Sequence, residues 1–160
     1  MCDVRVYDRV LSQEACVLLE QRVEELIRLH GKDRLVVQDE ATVALLQKWV
    51  LPHLAPCEPT SWITFGRDGE SVVGPHYDSN QGGETHKVLI YLSDATGGTR
   101  FWESRECFLR KTVPVVTSGA RGTVVVFSMT LFHEPEARPL HATKITLGVR
   151  IVMPPKEQGK

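Results

Sequence analysis

From Ser61 onward the chain is written in short apolar runs, each closed by Gly, Pro, Asp or Ser: SWITFG, ESVV, KVLIYL, TRFWE, TVPVVT, GTVVVFS and ITLGVRIVM. Runs of this length, rich in Val, Ile, Thr and aromatic residues, read as strands rather than helices. Two of them alternate cleanly. KVLIYL sets Val88, Ile90 and Leu92 against Lys87, Leu89 and Tyr91, and ITLGVRIVM sets Ile145, Leu147, Val149 and Ile151 against Thr146, Gly148 and Arg150. Successive side chains of a strand point to opposite faces, so one face of each is core and the other is mixed.

The first sixty residues follow a helical period instead. In SQEACVLLEQRVEELIRLHG, Ser12 is placed to cap, Cys16, Leu19, Val23, Leu26 and Ile27 form one stripe, and Gly31 ends the helix. A second segment, EATVALLQKWVLP, stacks Leu45, Leu46, Trp49 and Val50 before Pro52, and the prolines of PHLAPCEP forbid its continuation. Helices first and strands afterwards predict an α+β domain whose helices cover one side of a β-sandwich or open barrel. The 160 residues suffice for one such domain, with 1–60 as helical support and 61–155 as the β core.

A net charge of -1 leaves no basic face for nucleic acid. The opening MCDVRVYDRV is interrupted by Asp3 and Asp8, unlike a signal peptide, and no stretch reaches the ~18 consecutive apolar residues of a membrane span. These features predict a soluble protein of the cytoplasm or nucleus with no membrane partner. Cys2, Cys16, Cys57 and Cys107 form no C-x-x-C pair and read as free thiols, Cys16 in the core.

The chemistry gathers around GPHYDSN, where His76 and Asp78 stand two residues apart after a Gly-Pro break. On a strand that spacing turns both side chains to one face, as two ligands of one metal require. A third ligand must come from a distant strand, and His133 in SMTLFHEPEARP, after the most apolar strand, is the candidate. Two histidines and a carboxylate on one side of an ion leave the opposite positions open, which suits ferrous iron. An isolated H-x-D is more often a hydrogen-bonded loop pair than a metal motif, so the reading rests on its surroundings. Lys144, Thr146, Gly148 and Arg150 share the mixed face of the last strand, and a lysine buried there calls for an anion.

In this order the elements resemble the iron(II)- and 2-oxoglutarate-dependent dioxygenases, in particular the prolyl-4-hydroxylase-like branch, over about Trp62 to Met153. GPHYD is similar to the family's first metal motif, KVLIYLSD with GGTRFW to its strand pair, and GARGTVVVFSMTLFHEPEARPLHATKITLGVRIV to the strand, second histidine, turn and basic strand that close the site. The resemblance implies a double-stranded β-helix (jelly roll) with iron held by His76, Asp78 and His133 as the catalytic centre. Lys144 would pair with the distal carboxylate of 2-oxoglutarate, Tyr91 would donate a hydrogen bond to it, and Thr146 would stand beside it. It also implies O2 as cosubstrate, ascorbate as reductant, and hydroxylation of an unactivated C–H bond in a peptide, protein side chain or small molecule, with succinate and CO2 released. Phe65 stands where relatives often carry a tyrosine, and the chain is compact for the family.

Two other readings keep the fold: a cupin-like zinc or manganese isomerase or hydrolase, which needs no anion anchor such as Lys144, and a non-catalytic jelly-roll binding module. His30, His53, His86 and His141 read as surface or capping histidines, the last two near the proposed site in sequence. Trp102 reads as core or, with Arg100, as groove lining. The polar loops SNQGGETH and SRECFLRK are candidate lids. Sequence fixes neither substrate nor oligomeric state.

Overall fold

A computed structural model of the chain describes residues 2–68, 74–80, 82–94, 97–136 and 143–155, and every element, contact and count given is of these residues. The expected strand ESVV and His141 lie outside them.

Helix α1 (Gln13–His30) begins where the Ser12 hydroxyl accepts a hydrogen bond from the Ala15 amide and ends at Gly31, whose left-handed φ of 68° lets its amide return to the Ile27 carbonyl. Its stripe of Cys16, Leu19, Val23 and Leu26 is buried, each large aliphatic side chain contributing roughly 1.5–3 kcal/mol of burial. Helix α2 (Glu40–Trp49) sets Val43 and Leu46, with Val50 beyond its end, into the same core, while Leu45 and Trp49 are only partly buried. Asp39 caps it by accepting from the Thr42 amide at 2.9 Å and takes a two-pronged ion pair from Arg22 of α1. This ties the two helices together. Asp39→Ala is therefore expected to lower stability by about 1–2 kcal/mol in a urea melt, whereas Asp39→Asn keeps the cap and loses less.

The strands form two antiparallel sheets. The larger has the order β1-β7-β4-β9-β3-β2, with β1 Val4–Tyr7, β2 Arg34–Gln38, β3 Glu58–Asp68, β4 His86–Tyr91, β7 Val124–Ser128 and β9 Lys144–Val152. The smaller has the order β6-β5-β8, with β5 Thr99–Trp102, β6 Val115–Val116 and β8 Phe132–Pro135. Alternation assigns the faces. Val88, Ile90, Val124, Val126, Leu147, Val149 and Ile151 join the helices in one core, while Tyr91, Val125 and Phe127 turn the other way and pack with Phe101 of the smaller sheet. A jelly roll with helices on one side of its major sheet is thus observed, as expected.

Three local expectations need correction. The N-terminal sixty residues are not only helical, because β1 and β2 add themselves to the two edges of the larger sheet. An edge strand satisfies its backbone by pairing with one neighbour, and these two are only four and five residues long, too short for their pattern to stand out beside the helices they flank. The run TVPVVT contributes only Val115–Val116, and the loop SRECFLRK contains a short helix, α3 (Arg105–Leu109), capped by Ser104.

Candidate metal centre and its cavity

His133 sits on β8. Its backbone faces His76 across an isolated antiparallel bridge, the His76 amide donating to the His133 carbonyl at 2.9 Å and the His133 amide returning to His76 at 3.0 Å. That pair of bonds joins chain segments far apart in sequence and brings the two ring centroids to 4.5 Å. Asp78 follows one pleat later. Its Oδ1 lies 3.4 Å from His76 Nε2 and its Oδ2 lies 3.5 Å from His133 Nε2. One donor atom from each residue lies within 4.8 Å of the others, and among the described residues this is the one such group of three.

The surroundings orient the rings for ligation. His76 Nδ1 is 2.8 Å from the Gly74 carbonyl and His133 Nδ1 is 3.2 Å from the Leu131 carbonyl. Each contact requires an Nδ1 proton to donate, so both Nε2 atoms face the carboxylate and serve as the ligand positions. His133, packed at tilted angles among the rings of Phe101, Phe127 and His76, is pushed down to about 4 by burial, with Asp78 opposing. Burial also disfavours the Asp78 carboxylate, but the Lys87 ammonium and the two imidazoles outweigh it and hold the group well below the usual carboxylate range. His76 is raised above 6.5 by its bond to Asp78, against the opposing effect of burial.

A pH dependence follows from the signs. A raised histidine takes up its proton first on acidification, and a protonated imidazole is no ligand. Affinity for Ni(II) or Co(II) is expected to fall as the pH drops through the range where His76 is protonated, while His133 remains neutral down to about 4. Calorimetric titrations at a series of pH values between about 5.5 and 8 measure the midpoint, which should lie above the ordinary histidine value.

Beside the three ligands lies a cavity of about 70 Å³ whose lining includes Lys87, Lys144, Thr146, Thr64 and Arg34. Lys144, only 4% exposed, donates from Nζ to the Gly98 carbonyl at 3.2 Å and lies 5.3 Å above the ring of Tyr91. Lys144 and Thr146 are therefore brought together with the histidines. Tyr91 is not. Its hydroxyl is engaged by Thr99 Oγ1 at 2.6 Å and Thr117 Oγ1 at 3.1 Å, so its side chain supports the floor beneath Lys144 and does not line the cavity.

Phe65 also faces away. It is fully buried in the helical core and stacks on His30, because β3 turns its odd positions inward. The residue of that strand that lines the cavity is Thr64, whose buried Oγ1 makes no hydrogen bond. Lys87 was legible only as a member of the mixed face of β4. Its ammonium is 3.4 Å from Asp78 Oδ2, and burial lowers its pKa, with Asp78 opposing.

A larger groove of about 640 Å³ runs alongside, lined by Asn80, Glu84, His86, Glu103, Met129 and Leu131 among others. It adjoins the metal ligands through Asn80, two residues beyond Asp78, and through Leu131, whose carbonyl holds His133. His86 belongs here, its Nε2 2.8 Å from Asp3 Oδ2 and its Nδ1 2.8 Å from Thr85 Oγ1. Trp102 is buried and donates to the Thr112 carbonyl, whereas Arg100 pairs with Glu134 and Glu136. All four cysteines are free thiols. Among the described residues no helix is long and apolar enough to cross a membrane.

No family profile and no curated protein matches the sequence. Solved structures match the fold. A prolyl 4-hydroxylase from Phytophthora capsici superposes with a TM-score of 0.65 at 16% identity over 94% of this chain and 58% of its own, so the chain spans little more than half of that protein. The non-haem alpha-ketoglutarate-dependent carbocyclase SnoK, from nogalamycin biosynthesis, gives 0.72 at 14% identity over 94% and 79%. HygX from Streptomyces hygroscopicus, solved with nickel and 2-oxoglutarate bound, gives 0.66 at 12% identity over 94% and 82%. The likeness is one of fold: this chain has the jelly-roll architecture of prolyl 4-hydroxylases and related 2-oxoglutarate-dependent oxygenases.

Proposed function

We propose that this protein is a non-haem iron(II)- and 2-oxoglutarate-dependent dioxygenase that hydroxylates an unactivated C–H bond. The observation that carries the reading is the convergence of His76, Asp78 and His133, with donor atoms within 4.8 Å of one another, on the wall of a cavity that also holds Lys144. Two neutral nitrogens and one carboxylate oxygen on one side of the ion suit ferrous iron and leave positions open for a chelating cosubstrate. When bound, iron and 2-oxoglutarate supply the activation of O2, with succinate and CO2 as coproducts.

The chain's own residues do the holding. The Gly74 and Leu131 carbonyls fix the imidazole tautomers, and the buried Lys144 ammonium receives the distal carboxylate of the cosubstrate with Thr146 at its side. Substrate lies in the groove bordered by Asn80, Glu103 and Leu131, with Glu84, Thr85 and His86 on its wall. A protein side chain, a prolyl residue among them, or a small molecule is the substrate class that fits this chemistry.

Anaerobic addition of ferrous iron and 2-oxoglutarate tests the reading. A visible charge-transfer band from the iron-bound keto acid is expected with the wild-type protein, and Lys144→Ala should need at least about tenfold more 2-oxoglutarate to reach half its intensity, the loss of one buried charge-assisted contact. Retention of zinc or manganese with no such band from iron would turn the assignment to the cupin-like hydrolase or isomerase.

A further inference from the structure

Asp78 is held at both of its oxygens, and one of the groups that hold it is no metal ligand. Oδ1 faces Nε2 of His76 at 3.4 Å. Oδ2, closed to solvent, faces Nε2 of His133 at 3.5 Å and the Lys87 ammonium at 3.4 Å. The two imidazoles would turn from the carboxylate to an incoming ion. Lys87 would not, because an ammonium is a donor with no lone pair to offer a metal.

The seat of Lys87 is built by its neighbours on the sheet. The side chains of Lys87 and Asp78 are each only 10% exposed, so the pair is screened little by water. Gly148 of β9 turns to the same face as Lys87. A Cβ at 148 would lie 3.2 Å from Lys87 Cε and 2.8 Å from the Val88 carbonyl, so the missing side chain leaves the lane in which the lysine stem lies. Directly across the β4–β9 ladder from Lys87 stands Arg150, a like charge and an unfavourable neighbour unless it is countered. Its Nη1 is 3.7 Å from Glu84 Oε2, both side chains buried. Each of these two cations thus has its own carboxylate, Arg150 with Glu84 and Lys87 with Asp78.

We propose that Lys87 is a positioning residue of the metal centre: by keeping Oδ2 of Asp78 in a buried ion pair, it makes this carboxylate offer one oxygen, Oδ1, to the ion. The inference deepens the dioxygenase reading and rests on it for the identity of the ion. A carboxylate free to rotate can ligate through both oxygens and so take up a further coordination position. Partners that hold a ligating carboxylate decide how it meets the metal, and breaking a buried pair leaves the remaining charge to find another cation. In this site the ion itself is that cation.

Crystal structures and visible spectra of the Co(II)-loaded protein test the role. In the wild type, one Asp78 oxygen is expected within about 2.2 Å of the ion while Oδ2 stays beside Lys87 Nζ. In Lys87→Met, which fills the same lane without the charge, both oxygens should ligate and the cobalt bands should shift with the added ligand. Lys87→Arg, which keeps a cation, should return the wild-type bands. Two-oxygen ligation in the wild type would overturn the proposal, and that measurement needs no variant to fold. A lysine with a structural role alone would lower the melting temperature of Lys87→Met and leave its cobalt bands unmoved, which would overturn it too. If the wild type takes up no Co(II), the metal centre falls and the role with it. The charge-transfer band separates the two ideas. A band from iron and 2-oxoglutarate beside two-oxygen ligation removes the role of Lys87 and leaves the oxygenase, whereas Lys87-dependent one-oxygen ligation without a band keeps the role and removes the oxygenase.

Discussion

His133→Ala is expected to weaken divalent-metal binding by at least about a hundredfold, the upper end of what the loss of a mere supporting residue costs a metal site. The reasoning is geometric. His133 is the ligand furthest in sequence from the other two, and its Nε2 is already turned toward Asp78 by the bond from Nδ1 to the Leu131 carbonyl. What remains, His76 and Asp78, is a two-point site on a more exposed segment, and two ligands do not fix an ion's geometry. Calorimetric titration with Ni(II) or Co(II) gives the affinity, and circular dichroism shows whether the sheet persists. It should, because the bridge to His76 is made by backbone atoms and survives the substitution. The emptied space beside Phe101 and Phe127 carries a cavity cost of a few kcal/mol. Metal affinity within threefold of wild type would remove His133 from the ligand set and the oxygenase reading with it.

The second large effect is one of backbone packing. Gly98→Ala is expected to destabilise the protein by roughly 3–5 kcal/mol, lowering the melting temperature by on the order of 10 °C. A Cβ at this position would overlap the carbonyl of Thr117, a backbone group that cannot move aside as a flexible side-chain tip could. The same residue is a junction: its carbonyl accepts from Lys144 Nζ and the Glu136 amide, and its amide donates to the Glu136 carboxylate at 3.1 Å. Whatever shift relieves the overlap therefore displaces the Lys144 anchor as well. Gly31→Ala is the control. Its φ of 68° favours glycine for conformational reasons that do not apply at Gly98, and nothing lies within 4 Å of the added carbon, so a loss of only about 1–2 kcal/mol is expected. Equal melting temperatures for the two variants would show that the close approach at Gly98 is relieved at little cost.

How much of this was legible in the residues follows from the range of the forces involved. The helices could be read because caps and stripes are local: Ser12, Gly31 and the buried run from Cys16 to Ile27 stand as their spacing requires. So could the faces of β4 and β9, since alternation is a property of one strand. The grouping of His76, Asp78 and His133 was expected, and the coordinates bring the three together. Pairing was not legible. β1 and β2 are held by the partners β7 and β3 offer them, and at four and five residues their own alternation is too short to announce them. Nor was parity within β3. Phe65 stands where relatives often carry a tyrosine, but a shift of one residue reverses a strand's faces, and it is Thr64 that lines the cavity. Tyr91 was placed on the correct face, but Thr99 and Thr117, remote neighbours in sequence, claim its hydroxyl.

The place of β1 has a practical consequence. Four residues near the start cover the flank of β7, whose run Val124–Phe127 is wholly buried. Trimming the chain past Tyr7 to tidy an expression product would uncover a ready docking rail of unsatisfied amides and carbonyls, and the trimmed protein should self-associate through it as concentration rises. Purification handles are better joined by a spacer ahead of these residues than substituted for them.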